Sequence, residues 1–310
     1  MAIGIATACE DERAVALALL FARFPAEEQS SRLAEALRSS ANGTLNLDGL
    51  LLATDDGKPV AAALTMHQED GVTVVWPPVV TAGAINEAVL QNLLMEHICR
   101  AIDSVQSTLA QALLSTDDDA NRQLLQRHGF SHAADMFFVA RTLKSEDQEL
   151  HADHLGLTYE TYSESNAARF AVTIERTYLE SLDCPFLEGF RNGQNALHSH
   201  KLSGHFDPAG WRLYRIDDDD VGVLLMSEHP EQDAVELVYF GIVPERRGQG
   251  IGRRILAEGV QTAALTGHAA IFLAVDCGNI YANALYGELG FAELARRQVM
   301  VRRFANLARE

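Results

Sequence analysis

Between residues 236 and 256 the chain reads ELVYFGIVPERRGQGIGRRIL: an apolar strand, a proline, and a glycine-rich turn that opens a helix. Gly248, Gly250 and Gly252 let the main chain turn tightly with its N–H groups inward, and the helix that follows adds the positive end of its dipole. Arg246, Arg247, Arg253 and Arg254 make this window basic within a chain whose formal net charge is −18. Such a cradle suits a phosphate. Two familiar phosphate loops fail on spacing. A dinucleotide fingerprint needs G-x-G-x-x-G, but Arg253 stands at the third glycine position, and the Gly-Lys-Ser/Thr of a P-loop is absent.

Farther on, Asn279, Ala282, Leu285, Tyr286, Gly290 and Phe291 fall in the pattern N-x-x-A-x-x-L-Y-x-x-x-G-F. This pattern, following V-P-E-R-R-G-Q-G-I-G from Val243 to Gly252, resembles the two linked motifs of the GNAT superfamily of acyl-CoA-dependent N-acyltransferases. The resemblance covers essentially all of 156–310. It implies acetyl-CoA as acyl donor and no metal. The main chain of Ile242 and Val243 is then expected to pair with pantetheine. Arg247, Gly248, Gln249, Gly250, Ile251 and Gly252 are expected to hold the pyrophosphate, and Asn279 to touch the pantetheine arm. Direct acyl transfer further needs a base for the amine, a donor for the oxyanion and a proton for the departing thiolate. By resemblance, Glu236 occupies the base position, a main-chain N–H near Ile242 the oxyanion position, and Tyr286 the position that protonates the thiolate. Without the motif, Glu236 reads as a solvated strand-end carboxylate and Tyr286 as a core aromatic.

The resemblance places the acceptor under 164–206, with Tyr178, Asp183, Cys184, Glu188 and Arg191 as candidate lining residues. Carboxylates there suit a cationic amine; an acidic solvated loop reads the same way. His198, His200 and His205 lack a nearby cysteine and read as exposed helix residues rather than metal ligands. The run from Asp217 to Asp220 reads as a solvated hairpin tip. Cys9, Cys99, Cys184 and Cys277 are widely spaced and read as reduced, buried thiols. The implied activity is N-acetylation of an amine on a small molecule. Acetylation of a protein amine and non-catalytic acyl-CoA sensing remain open beside it.

The elements that must position these residues occur twice. LLQRHGF, ending at Phe130, resembles LYGELGF, ending at Phe291, and VAAALT from Val60 resembles VGVLLM from Val221, both at an offset of 161. Periodicity gives the first half helices at 11–24 and 26–39, strands at 48–54, 59–67 and 72–80, a helix at 85–102, a strand at 109–115, a helix at 118–128 and a strand at 134–142. The second half has strands at 157–162, 212–216, 221–227, 234–243, 271–276 and 298–303. The expected fold is α+β: two tandem GNAT-like domains, each a mixed, mostly antiparallel sheet flanked by helices. They span 1–143 and 156–310, with a charged, solvated linker at 144–155. In the constant register, Val75 replaces Glu236, Asn86, Glu87 and Val89 replace Arg247, Gly248 and Gly250, Asp118 replaces Asn279 and Leu125 replaces Tyr286. The first domain thus reads as a degenerate repeat, and the tandem arrangement is distantly similar to that of the mycothiol synthase family.

Two domains also suit a chain of 310 residues. With 47% hydrophobic and 22% charged residues the composition is that of a folded protein rather than a disordered one. The strong negative charge opposes a nucleic-acid partner and favours a cationic one. The longest apolar run, 14–22, is too short to span a bilayer and lacks a preceding basic segment, so a cytoplasmic protein with no membrane partner is expected.

Overall fold

A computed structural model describes residues 3–68, 71–84, 86–105, 107–148, 156–187 and 192–304. In chain order the elements are β1 (Ile3–Thr7), α1 (Glu10–Phe21), α2 (Ala26–Ala41), β2 (Leu50–Asp55), β3 (Lys58–His67), β4 (Val72–Val80), α3 (Glu87–Ser104), β5 (Leu109–Ser115), α4 (Asp119–Arg127) and β6 (Ser131–Thr142). There follow β7 (Leu157–Thr161), α5 (Ala167–Tyr178), α6 (Gly193–Lys201), β8 (His205–Ile216), β9 (Asp219–His229), β10 (Ala234–Ile242), α7 (Ile251–Leu265), β11 (Ala270–Asp276), α8 (Ile280–Glu288) and β12 (Ala292–Arg303). The fold is α+β, as the sequence implies. No described helix is long and apolar enough to cross a membrane.

Two compact units form, Met1–Ala133 with Gln298–Glu310, and Ala134–Arg297. In the first, the strand order is β1-β2-β3-β4-β5-β12; in the second it is β6-β11-β10-β9-β8-β7. The second unit packs α7 on one sheet face, where Ile255, Leu256, Val260 and Ala263 meet Leu224, Leu237 and Leu273. On the opposite face Phe170, Ile174 and Leu197 from α5 and α6 meet Trp211, Leu213, Val223 and Leu225. Leu224 and Leu225 serve opposite faces because successive strand side chains alternate. Phe170 and Trp211 are wholly buried, so truncating either to alanine should cost about 3–5 kcal/mol.

The units differ from the expected 1–143 and 156–310. Strand β6, expected to close the first domain, pairs with β11 from Thr142↔Ala270 to Met136↔Asp276, and residues 298–303 belong to the first unit instead. Periodicity identifies a strand, but two similar repeats offer equivalent edges for it, and long-range pairing chooses between them. Of the linker, 149–155 lie outside the described residues. Its beginning is docked rather than solvated: Arg141 bonds Asp147, and Gln261 donates to Gln148 O at 2.8 Å. Strand β1 was not expected; it is five residues long with no buried position, so it has no alternation to read. β8 begins at His205 rather than 212, its first part hidden by a register break between Phe206 and Trp211. Ile85, the expected start of the helix now seen as α3, lies outside the described residues.

The register between repeats also slips. Val74↔Gln111 is the third parallel pair of β4 and β5, as Glu236↔Phe272 is of β10 and β11. Val74, not Val75, therefore occupies the place of Glu236. The left-handed residue before α3 is Asn86, at φ 62°, and before α7 it is Gly250, at φ 81°. Asn86 thus stands opposite Gly250 rather than Arg247, and Glu87 and Val89 lie inside α3. Asp118 and Asn279 keep the expected correspondence, both capping the next helix through the side chain.

Candidate active site

β10 and β11 pair over only three residues, Ala234–Glu236 against Ala270–Phe272, although the strands continue to Ile242 and Asp276. A register break between Leu237 and Tyr239 bends β10 at the point of separation. Outer neighbours hold both arms, since β9 pairs with β10 as far as Ile242 and β6 with β11 as far as Asp276. The inner edges past residues 236 and 272 therefore present main-chain amides to an extended, amide-bearing ligand.

The glycine loop follows the open arm of β10. Val243 N–H donates to Val221 O at 3.0 Å and Val243 O accepts from Arg246 N–H at 3.0 Å, so both its main-chain groups are engaged within the protein. Ile242 O accepts from Arg247 Nε at 3.0 Å. Gly248 and Gly250 have φ of 73° and 81°, the left-handed conformation in which glycine is unstrained. The first-turn N–H groups of α7 have no intrahelical acceptor and face the turn, as an anion cradle requires. Gln249 donates through Nε2 to Glu245 O at 3.0 Å. The Arg247 guanidinium is directed to main-chain carbonyls, donating also to Glu180 O at 3.0 Å and Thr177 O at 2.9 Å. Arg253 is exposed, 3.8 Å from Glu288.

At the end of β11, Asn279 accepts from Ala282 N–H at 3.3 Å and so caps α8. Tyr286 is buried on that helix, its ring 5.6 Å from Phe291 and edge-on to it. Burial, and secondarily the nearby charge of Asp183, pushes its phenol far above the ordinary value. It stays protonated and able to donate.

Glu236 projects on the face covered by α5 and α6. Ser203 donates to its Oε2 at 2.7 Å, and His229 Nε2 lies 2.8 Å from the same oxygen. The His229 ring packs 5.4 Å from Phe272. One carboxylate oxygen is thus anchored twice, and Oε1 takes no bond from the described residues. Along the same strand Tyr239 shares a hydrogen bond with Thr177 at 2.7 Å, meets Tyr178 edge-on and stacks on His200 at 5.3 Å. Of the other expected acceptor-side residues, Asp183 accepts from Asp276 N–H at 3.3 Å, and Cys184 N–H donates to Asp276 Oδ2 at 3.0 Å. Glu188 and Arg191 lie outside the described residues. Among the described residues, no group of three metal-ligating side chains forms.

Asp219 and Asp220 are not merely solvated: Arg169 reaches Asp220 and Glu160, and Arg176 reaches Asp219 at 3.3 Å. This network fixes α5 to the β8–β9 hairpin. Ser203, His229 and Asp276 escaped the sequence reading, because none falls at a motif spacing.

Residues 174–291 match the model of the acetyltransferase (GNAT) family. The chain is 25% identical over 257 residues to a mycothiol acetyltransferase of Kocuria rhizophila, covering 77% of this chain and 79% of that protein. Among solved structures, a GCN5-related N-acetyltransferase from Sphaerobacter thermophilus superposes with a TM-score of 0.68 at 18% identity, covering 97% and 95% of the two chains. A tandem GNAT protein from the clavulanic acid biosynthesis pathway gives 0.57 at 14% identity, covering 97% and 98%. With both sequence motifs set around one strand opening, the segment 174–291 matches the GNAT family, and the chain as a whole is distantly similar to mycothiol acetyltransferase.

Proposed function

We propose that this chain transfers the acetyl group of acetyl-CoA to the amine of a small molecule by direct attack. The observation that carries the reading is the opening between β10 and β11, flanked by the glycine loop, Tyr286 and the anchored Glu236. The open strand edges take the pantetheine amides, chiefly on β10 before Val243, whose N–H is engaged. The loop from Gly248 to Gly252 takes the pyrophosphate, and Asn279 keeps its amide N–H groups for the pantetheine arm while its oxygen caps α8. Glu236 Oε1 accepts a proton from the amine, directly or through a water. The nitrogen attacks the thioester carbonyl, and a main-chain N–H on the open arm of β10 near Ile242 stabilises the oxyanion. As the C–S bond breaks, the Tyr286 hydroxyl gives its proton to the thiolate sulfur, the surplus proton of the acylated nitrogen restores the phenol through solvent, and Glu236 releases its proton to solvent.

Likeness to a mycothiol acetyltransferase over most of the chain supports a small-molecule acceptor. The Glu236 carboxylate on the strand that also carries Tyr239, whose ring meets Tyr178, in a chain of net charge −18, favours a cationic amine. The test is release of CoA thiol from acetyl-CoA across a library of amino sugars, amino acids and polyamines. At least one amine should release CoA in step with its own acetylation. Acetyl-CoA binding without release above hydrolysis for any amine would instead mark an acyl-CoA sensor.

A further inference from the structure

Arg247 occupies the place where the motif calls for a phosphate-facing cation, yet its guanidinium is spent on three main-chain carbonyls, those of Thr177, Glu180 and Ile242. Its own N–H donates to Pro244 O at 3.2 Å. Two of the three carbonyls belong to the segment 177–184, which leaves the C-terminal end of α5 and lies on the acceptor side.

That segment is fastened to both arms of the opening. Toward β10, a Cβ placed on Gly241 would lie 2.6 Å from Thr177 Oγ1, so the approach is possible only because residue 241 is glycine. Tyr239 reinforces it through its hydroxyl bond to Thr177. Toward β11, Cys184 N–H and the Asp183 carboxylate bond Asp276. Between these ties Glu180 and Cys184 adopt φ of 54° and 48°, a left-handed conformation that residues with a Cβ keep only when their surroundings hold them there.

We propose that Arg247 is a positioning residue. It holds 177–184 as a wall of the acceptor site and ties that wall to the loop that takes the CoA pyrophosphate, instead of binding phosphate through its own side chain. The proposal rests on the reading that this loop binds acetyl-CoA. Ligand that fixes the loop thereby lowers the cost of ordering the wall.

The test uses the full chain, with Arg247→Gln removing the cation and Arg247→Lys keeping charge without the planar three-way fork. Acetyl-CoA affinity is measured by calorimetry, and amide hydrogen exchange is followed in a peptide covering 177–184. Both variants should bind acetyl-CoA within about threefold of the unmodified chain, while exchange at 177–184 rises at least about tenfold. Acetyl-CoA should slow that exchange in the unmodified chain and lose the effect in the variants. A loss of affinity beyond about tenfold in both variants, with exchange unchanged, would make Arg247 a phosphate ligand and overturn the proposal. So would an unmodified chain that binds acetyl-CoA without any change at 177–184. If the unmodified chain does not bind acetyl-CoA at all, the functional reading fails separately, and unchanged exchange in the ligand-free variants then overturns the clamp. Should Arg247→Gln not fold, Arg247→Lys gives the same comparison.

Discussion

Glu236 gains its orientation from two neighbours that share one of its oxygens, Ser203 at 2.7 Å and His229 at 2.8 Å. Tyr286 gains its protonation state from burial, which holds the phenol neutral throughout the range in which the protein would be assayed. The two should fail differently. Tyr286→Phe keeps the ring packed on Phe291 and removes only the donor, so acetyl-CoA affinity should persist while kcat falls by about 10²- to 10⁴-fold, the range of general acid–base catalysis. Glu236→Gln should lose activity near neutral pH and recover part of it at high pH, where the amine is already deprotonated. Pre-steady-state and pH–rate measurements on an accepted amine check both, and normal turnover in the phenylalanine variant would reduce Tyr286 to a core aromatic. These two positions were legible because motif spacing fixes them relative to a strand and a helix. Ser203 and His229 were not, because their approach to Glu236 depends on how β8, β9 and β10 come together. The type of Arg247 was legible, but the direction of its guanidinium was not.

Strands β10 and β11 are legible in the sequence to within a residue at each end, and the glycine turn marks where α7 opens, since apolar periods and turn residues bound them. Their three-residue pairing followed by separation is a property of neighbouring elements that a one-dimensional pattern does not carry. The paired end is clasped by His268, whose Nδ1 lies 3.2 Å from Asp233 Oδ1 and whose Nε2 lies 3.2 Å from Glu228 Oε2. Burial pulls this imidazole down, but its bonds to Asp233 and Glu228 outweigh that and leave its pKa raised. A raised folded pKa means the protonated form is favoured on folding. The stabilisation is therefore complete below the ordinary value of about 6.5 and disappears as pH rises through the folded value. Thermal melts should show the Tm gap between the unmodified chain and His268→Gln widest near pH 5.5 and narrower near pH 8.5. A gap that widens with pH would mean the imidazole is held neutral.

At the scale of the whole molecule, the repeat was legible but its closure was not, because similar edges allowed the final strand of each repeat to be assigned to the wrong unit. The first unit keeps the architecture of the site without its chemistry. β4 and β5 also pair over three residues, but Val74 stands where Glu236 does and Leu125 where Tyr286 does. The turn before α3 contains Gly83 and Asn86 with no arginine, and Glu87 opens the helix with a negative charge, which disfavours an anion there. The proposed function therefore calls for one acyl-CoA site per chain, at the glycine loop of the second unit. Gly250→Asp isolates that claim: a Cβ there meets no atom within 4 Å, and aspartate tolerates the left-handed conformation better than most residues. The charge, rather than misfolding, then becomes the main perturbation. The most direct measurement is calorimetric titration of acetyl-CoA into the unmodified chain and into Gly250→Asp, with circular dichroism to confirm folding. One site per chain is expected in the former, and affinity weakened by at least about 100-fold, or nearly 3 kcal/mol, in the latter. Two sites per chain, or undiminished binding in the folded variant, would contradict that claim.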